Sequence, residues 1–411
     1  MVYETLTAEY SDGDHSIPFT WAAIIKMILD DEYLTGEDLG KFARLCQLLE
    51  SVYHYLFHKD LANLKLSYQL FSPDVAPDAS DENNRDLSSI EGEWISRIKK
   101  ILIDGNYKEV SDSELETALD EEGLFPVSAK VNFDSFEYYK IYCQGRRVGT
   151  ATVKSWIPFK KKEVTFEFYN RIVFFFKVKT GAYFRTRKKM SVPGTPEKIY
   201  LKYFRNIPMS DLEMIFPDPK PRMKPIHKIK MFIPLVAGLA ITIYRLRIDG
   251  NPLTEGINSG LILLIAALLA YVFGTFNEYS NILRSFLSEI AHSLYFRNIA
   301  NNHGVLTTLI DNAEEQECVE AMLGYYFLLK SDQKLTESEL DKQVEKWLEE
   351  KHNTKVNFEV GDALEKLEES NLVRRDDQGM LSVPSLDEAI RRLYLIWCNV
   401  FKHNSAELPC N

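Results

Sequence analysis

Along the N-terminal part of the chain the apolar positions fall at helical spacing. Leu39, Phe42, Leu45, Leu49, Val52 and Leu56 form one stripe after Thr35, with Asp38 three residues on as a capping-box variant. Residues 73–88 break the pattern with Pro, Asp, Ser and Asn and read as a loop. A further helix is predicted from Ile90 to Ile103, ended by Gly105, and Ser111 with Glu114 makes a capping box for a short helix to Leu119. The period then changes. FEYYKIYC, VTFEFY, RIVFFFKVK and KIYLKYF are strand-length segments rich in aromatic and β-branched residues. Gly145 and the Asn170–Arg171 pair read as turns between them, giving a small antiparallel sheet.

The next segment carries two uncharged runs, Met231–Tyr244 of 14 residues and Gly260–Phe276 of 17, separated by an Asp249–Pro252 turn. A membrane span needs about 20 mostly apolar residues. The second run approaches that length, and the first reaches it only if Lys230 and Arg245 snorkel. The two runs are therefore expected to form a transmembrane hairpin, with buried core helices as the alternative. Five basic residues precede the first run, from Lys220 to Lys230, against Arg245 and Arg247 in the loop. By the positive-inside rule both termini are then cytoplasmic. Heptad-like spacing at Ile282, Phe286 and Ile290 continues the second run into one helix over 260–299, a stalk. After a turn at Asn301–Gly304, a helix on Ile310, Ala313, Cys318, Met322 and Tyr325 packs back. Residues 335–397 read as helix, helix, hairpin and closing helix, the outline of a winged-helix unit, with Thr336 and Glu339 capping its first helix.

Together these patterns predict an α+β membrane protein. It has an acidic helical N-terminal region (1–125), a basic β-rich domain (126–206) and a juxtamembrane segment (207–227). A two-helix transmembrane hairpin (228–277), a helical stalk and hairpin (278–330) and a C-terminal winged-helix-like domain (331–411) follow.

Charge adds a lipid contact to this picture. The chain carries 49 Lys+Arg and 60 Asp+Glu, net −11. Residues 126–230 are nonetheless strongly basic between acidic flanks. Lys160, Lys161, Lys162, Arg187, Lys188, Lys189, Lys228 and Lys230 are expected to face anionic lipid, each worth about 1 kcal/mol when well placed. An ordinary solvated strand surface is the plainer alternative. The acidic flanks argue against nucleic acid, as do Glu359, Asp362, Glu365, Glu368 and Glu369 on the would-be recognition helix. The five cysteines show no C-x-x-C pair and no disulfide framework, which suits a reducing compartment. Residues 1–20 hold no Lys or Arg, so neither a secretory n-region nor a mitochondrial presequence is expected.

Several strings are specific. YFRNIPMSDLEMIFP, SLYFRNIANNHGVL, DNAEEQECVEAMLGYYFLL and VNFEVGDALEKLE resemble the transmembrane protein 143 family, also called the domain-of-unknown-function 3754 family. The resemblance runs from about Ser16 to Trp397. It implies a two-span membrane protein without an established activity, and without a presequence it implies a prokaryotic plasma membrane.

Candidate chemistry is sparse. Glu50, His54 and His58 at i, i+4, i+8 on one helix are a candidate metal set, with a solvated helical stripe as the plain alternative. His303 with Asp311, Glu314, Glu315 and Glu317 is a candidate acid–base cluster, though carboxylates early in a helix also simply complement its dipole. No Walker A, G-x-S-x-G or kinase motif is present, and no cofactor is implied. The expectation is a membrane-anchored adaptor or regulatory protein whose partners are the lipid bilayer and unidentified proteins. A membrane-surface enzyme, hydrolytic or metal-dependent, is the alternative, and the oligomeric state is open.

Overall fold

A computed structural model describes residues 9–10, 15–75, 87–120, 127–154, 161–179, 183–185, 191–193, 198–217, 220–223, 233, 236–241, 243–244, 259–331 and 333–400. The chain opens with β1 (Glu9–Tyr10), α1 (Trp21–Leu29), α2 (Glu37–Tyr68), α3 (Leu87–Asp104), β2 (Lys108–Glu109), α4 (Asp112–Asp120) and β3 (Val127–Lys130). Ser111 and Glu114 do cap α4: the Ser111 N–H donates to Glu114 at 2.8 Å and the Glu114 N–H to Ser111 Oγ at 3.2 Å. Thr35 does not cap α2. That helix starts beyond Gly36, whose φ of 56° lies in the left-handed region.

The middle of the chain supplies β4 (Phe136–Lys154), β5 (Lys161–Val178), β6 (Tyr183–Arg185), β7 (Ser191–Pro193), β8 (Ile199–Pro208) and β9 (Lys220–Met223); β4, β5 and β8 enter the main sheet, whereas β6 pairs with β7 and β3 with β9 as two-stranded ladders. VTFEFY and RIVFFFKVK, expected as two strands, are one. Gly145 and Asn170 are not turns but stand opposite each other, between the pairs Gln144–Arg171 and Arg146–Tyr169. Gly145 has φ 74°, and a Cβ there would lie 2.6 Å from the Asn170 Cβ. Only glycine allows both the conformation and the close approach. Ile172–Phe176 is apolar without a break because both sheet faces are covered there. Val173 and Phe175 join the helical core, whereas Ile172, Phe174 and Phe176 join a second cluster with Phe216, Leu212 and α4's Leu115.

The chain continues through α5 (Ser259–Arg297) into β10 (Asn298–Asn301), and then into α6 (His303–Lys330). The main sheet has six antiparallel strands in the order β1–β4–β5–β8–β10, with β2 also on β4. β8 pairs with β5 only from Phe168 to Lys177, and β1 meets β4 only at Arg147 and Val148. Beyond those positions β4 and β5 continue as a two-stranded ribbon ending at Lys154 and Lys161.

Among the described residues no helix is long and apolar enough to cross a membrane. This corrects the expected two-span hairpin and with it the multi-pass membrane fold. The first uncharged run is described only at 233, 236–241 and 243–244, which are helical there. The second run lies in α5, a helix of 39 residues, as the periodicity predicted. Its uncharged part ends at Asn277, and Glu278, Arg284, Glu289 and Arg297 follow along the same helix. Phe286, Ile282 and Leu294 then dock this helix on Met214.

The C-terminal part comprises α7 (Glu337–His352), α8 (Val360–Glu369), β11 (Arg374–Arg375), β12 (Leu381–Ser382) and α9 (Leu386–Val400). Thr336 and Glu339 form the complete capping box of α7. Helix α6 is the centre of the molecule. Its buried face runs nearly all round from Gln316 to Leu328, because α1, α2, α3, α7 and α8 all pack on it. One continuous apolar core therefore joins the N-terminal helices, one face of the sheet and the C-terminal helices.

Candidate functional site

A helix buried on all sides has no polar face to spare, so each polar residue on α6 needs a partner inside the protein. Asn312, Gln316 and Glu320 recur every four residues and make one stripe. Asn312 donates to Tyr203 Oη at 2.8 Å, and Tyr203 meets Tyr107 Oη at 2.9 Å. Gln316 accepts from the Ile17 N–H at 2.8 Å and donates to the Ile17 carbonyl at 3.0 Å. Glu320, 1% exposed, accepts from Asn106 Nδ2 at 2.6 Å. Burial holds the Glu320 pKa well above the ordinary carboxylate value, and the nearby Asp362, Glu359 and Asp104 push it the same way.

Glu317 points elsewhere, into a close charge pair with Lys366 of α8. Asp104 lies 3.8 Å from the same ammonium. Burial raises the Asp104 pKa and lowers that of Lys366, and their mutual attraction opposes both shifts.

A second polar knot sits where the sheet feeds α6. Asn302 has φ 48° and is 7% exposed. Its Oδ1 accepts from the Leu201 N–H at 3.2 Å, and its Nδ2 donates to the Asp74 carboxylate at 2.9 and 3.0 Å. Its own N–H donates to the Leu201 carbonyl at 2.9 Å. His303 opens α6 beside it, with Nδ1 3.4 Å from Ser72 Oγ and its ring edge-on to Tyr68. The predicted turn is thus a strand-to-helix clasp.

A third knot closes on Asp31, whose side chain is 1% exposed. It receives Tyr326 Oη at 2.5 Å, Trp347 Nε1 at 3.4 Å and the ammonium groups of Lys330 and Lys351. Burial alone would raise its pKa. The bonds from Lys330, Lys351 and Tyr326 outweigh burial and hold the carboxyl well below the usual range.

The residues singled out from the sequence do not converge. His303 stands two turns before Asp311, which is exposed. Glu315 is half-buried, and Glu314 bonds to His54 Nδ1 at 3.1 Å. His54 and His58 do share a face of α2, with ring centroids 6.0 Å apart. Burial raises the pKa of Glu50 and of Glu314, with His54 opposing in both cases. Among the described residues no group of three or more His, Cys, Asp or Glu side chains is placed to hold a metal. Of the lysines and arginines assigned to lipid, Lys161 and Lys162 begin β5 at the ribbon's end. Lys160, Arg187, Lys188, Lys189, Lys228 and Lys230 lie outside the described residues.

What the arrangement can do chemically is limited. An enclosed space between α2, α6 and α8, lined by Phe42, Cys46, Met322 and Leu367, has a volume of about 10 Å³. That is barely room for one water. Burial pushes the Cys46 thiol up to about 12, which leaves it a packing residue rather than a nucleophile. At the hairpin of β11 and β12, Arg375 is engaged by Glu337 at 3.1 Å and Glu368 at 3.2 Å. Sequence reasoning missed Asp31, Glu320 and Lys366; it placed Glu317 in the acid–base cluster and Asn302 in the turn, without their partners. For Glu320 a signal existed in the i, i+4, i+8 run of Asn312, Gln316 and Glu320 inside an otherwise apolar helix.

These features define an α+β protein whose polar knots at α6, Asn302 and Asp31 tie its elements to one another. Its central part matches a family model described as "Protein of unknown function (DUF3754)" over residues 169–304. The match begins in β5, takes in β8, α5 and β10, and ends at the Asn302 clasp. It supports membership of a domain-of-unknown-function family for that region. No solved structure matches the chain.

Proposed function

We propose that the protein is a non-catalytic adaptor or regulatory protein that works against a lipid surface, and that its kinship reaches the transmembrane protein 143 proteins. The observation that carries this reading is the free half of α5. Leu269, Phe273 and Phe276 are more than 60% exposed, and Ala266, Ala267, Ala270, Tyr271 and Val272 are exposed beside them. An apolar stretch of this size, open on every side of a helix, calls for an apolar surrounding. A helix lying in a lipid interface can bury such side chains at the headgroup and acyl boundary without crossing the bilayer. The lysines at the ribbon's end suit the same surface, since anionic headgroups attract them. The polar knots described above join helices to one another and to the sheet, which suits a rigid adaptor.

The test is flotation of the full chain with vesicles. Binding to neutral phosphatidylcholine vesicles is expected, strengthened by phosphatidylserine and lost in L269N/F273N. Charge reversal at Lys160, Lys161 and Lys162 should remove only the phosphatidylserine increment. A chain that stays unbound to both compositions at physiological salt would refute the reading.

A further inference from the structure

The segment from His15 to Ile17 lies beside a buried acid, Glu320, whose bonded neighbour is the Asn106 amide. Ser16 and Ile17 are buried, and Gln316 grips both backbone groups of Ile17. Asn106 Nδ2 reaches the His15 carbonyl at 3.3 Å, Gln316 Oε1 at 3.4 Å and Glu320 at 2.6 Å. Two N–H groups thus serve three acceptors. The His15 ring closes the other side, with Nδ1 2.8 Å from Glu359 and 3.2 Å from the Asn357 carbonyl.

We propose that residues 15–17 form a proton-linked latch, closed over Glu320 while its carboxyl is neutral and lifted when it ionises. An ionised Glu320 would face Asp104 at the end of α3 and Glu359 and Asp362 on α8, all acidic. From α2 it faces Tyr53, whose hydroxyl burial keeps neutral. The local cation, Lys366, is already held between Glu317 and Asp104. The charge must therefore find water. Lifting a short strap held by a few side-chain bonds exposes Glu320 at far less cost than unpacking α6 from its helices. Burial keeps the Glu320 carboxyl neutral to higher pH than a free carboxylate. Ahead of the strap, β1 lies on Arg147 and Val148 of β4. Opening the latch would slacken that strand and free the sheet edge it covers.

The test is hydrogen exchange on the full chain between pH 6 and pH 9, corrected for intrinsic rates, at the Ile17 amide and at Leu323 in α6. Protection at Ile17 should fall at least tenfold across this range while Leu323 is unchanged. In E320Q the Ile17 amide should stay protected throughout. D362N, which removes one repelling charge, should shrink the wild-type loss and serves if E320Q misfolds. Constant wild-type protection refutes the latch. So does a parallel loss at Leu323, or a pH dependence surviving in E320Q, which would belong to His15.

Discussion

Replacing Asn302 by alanine tests the clasp that joins sheet to central helix. The side chain accepts the Leu201 N–H and donates to the Asp74 carboxylate. A neutral bond of this kind is worth about 1 kcal/mol and a charge-assisted one about 2. Alanine at φ 48° adds strain of about 1 kcal/mol. N302A should therefore destabilise by about 4 kcal/mol. For a chain of 411 residues, at roughly 2.1 cal/mol/K per residue, that lowers Tm by about 4–5 °C if unfolding is a single step. Differential scanning calorimetry reads this directly. N302G keeps the backbone conformation and should recover only the strain. N302D retains an acceptor for Leu201 but sets a second carboxylate against Asp74. It should be the worst of the three at pH 7 and regain stability as the pH falls and the two carboxylates share a proton. If N302G matches wild type, or if N302D shows no acid recovery, the hydrogen-bond account of the clasp is wrong.

Two further substitutions probe the buried charges. Asp31→Asn should cost about 2–3 kcal/mol in urea unfolding at pH 7, discounted because Lys351 is half exposed. A depressed carboxyl stabilises fully above the unfolded value near 4 and loses that contribution as pH falls. The gap to wild type should therefore begin to narrow below about pH 4 and go on narrowing as pH falls toward the folded carboxyl's much lower range; a gap unchanged in acid would mean that packing rather than charge holds Asp31. Lys366→Met leaves Glu317 charged and alone, at a cost of about 3 kcal/mol, whereas E317L/K366M should come within about 1 kcal/mol of wild type. Additive losses in that double-mutant cycle would show that the two residues do not act as a pair.

What could be read from the sequence was local. The Thr336–Glu339 and Ser111–Glu114 boxes span one turn each, so residues three apart carry all the information, and both form. Helix α5 was likewise legible from its periodicity. Gly145 and Asn170–Arg171 were misread for the opposite reason. They are turn formers locally, yet their role depends on a cross-strand register set by residues 25 positions apart. Uncharged runs suggested membrane spans because hydropathy counts residues without seeing where the apolar length stops. The buried site was legible least. Lys366 reads as one cation among acids until α8 packs on α6 and turns it toward Glu317. Asp31 sits in a polar stretch, and its partners come from α6 and α7, some three hundred residues later.

The absence of any loop between α5, β10 and α6 has a mechanical consequence. A 39-residue rod ends at Arg297, a four-residue strand follows at once, and Asn302 alone separates that strand from the next helix. A tug on the free half of α5 cannot be absorbed by slack chain. It reaches the short β10–β8 ladder, where antiparallel bonds resist sliding together rather than opening one by one, and then the Asn302 clasp. From there it reaches α6, the helix against which the N-terminal strap, α3 and the C-terminal helices are all seated. The rod is thus coupled to the centre of the protein through the sheet with no slack chain between them, and its docking on Met214 is the contact it pivots against.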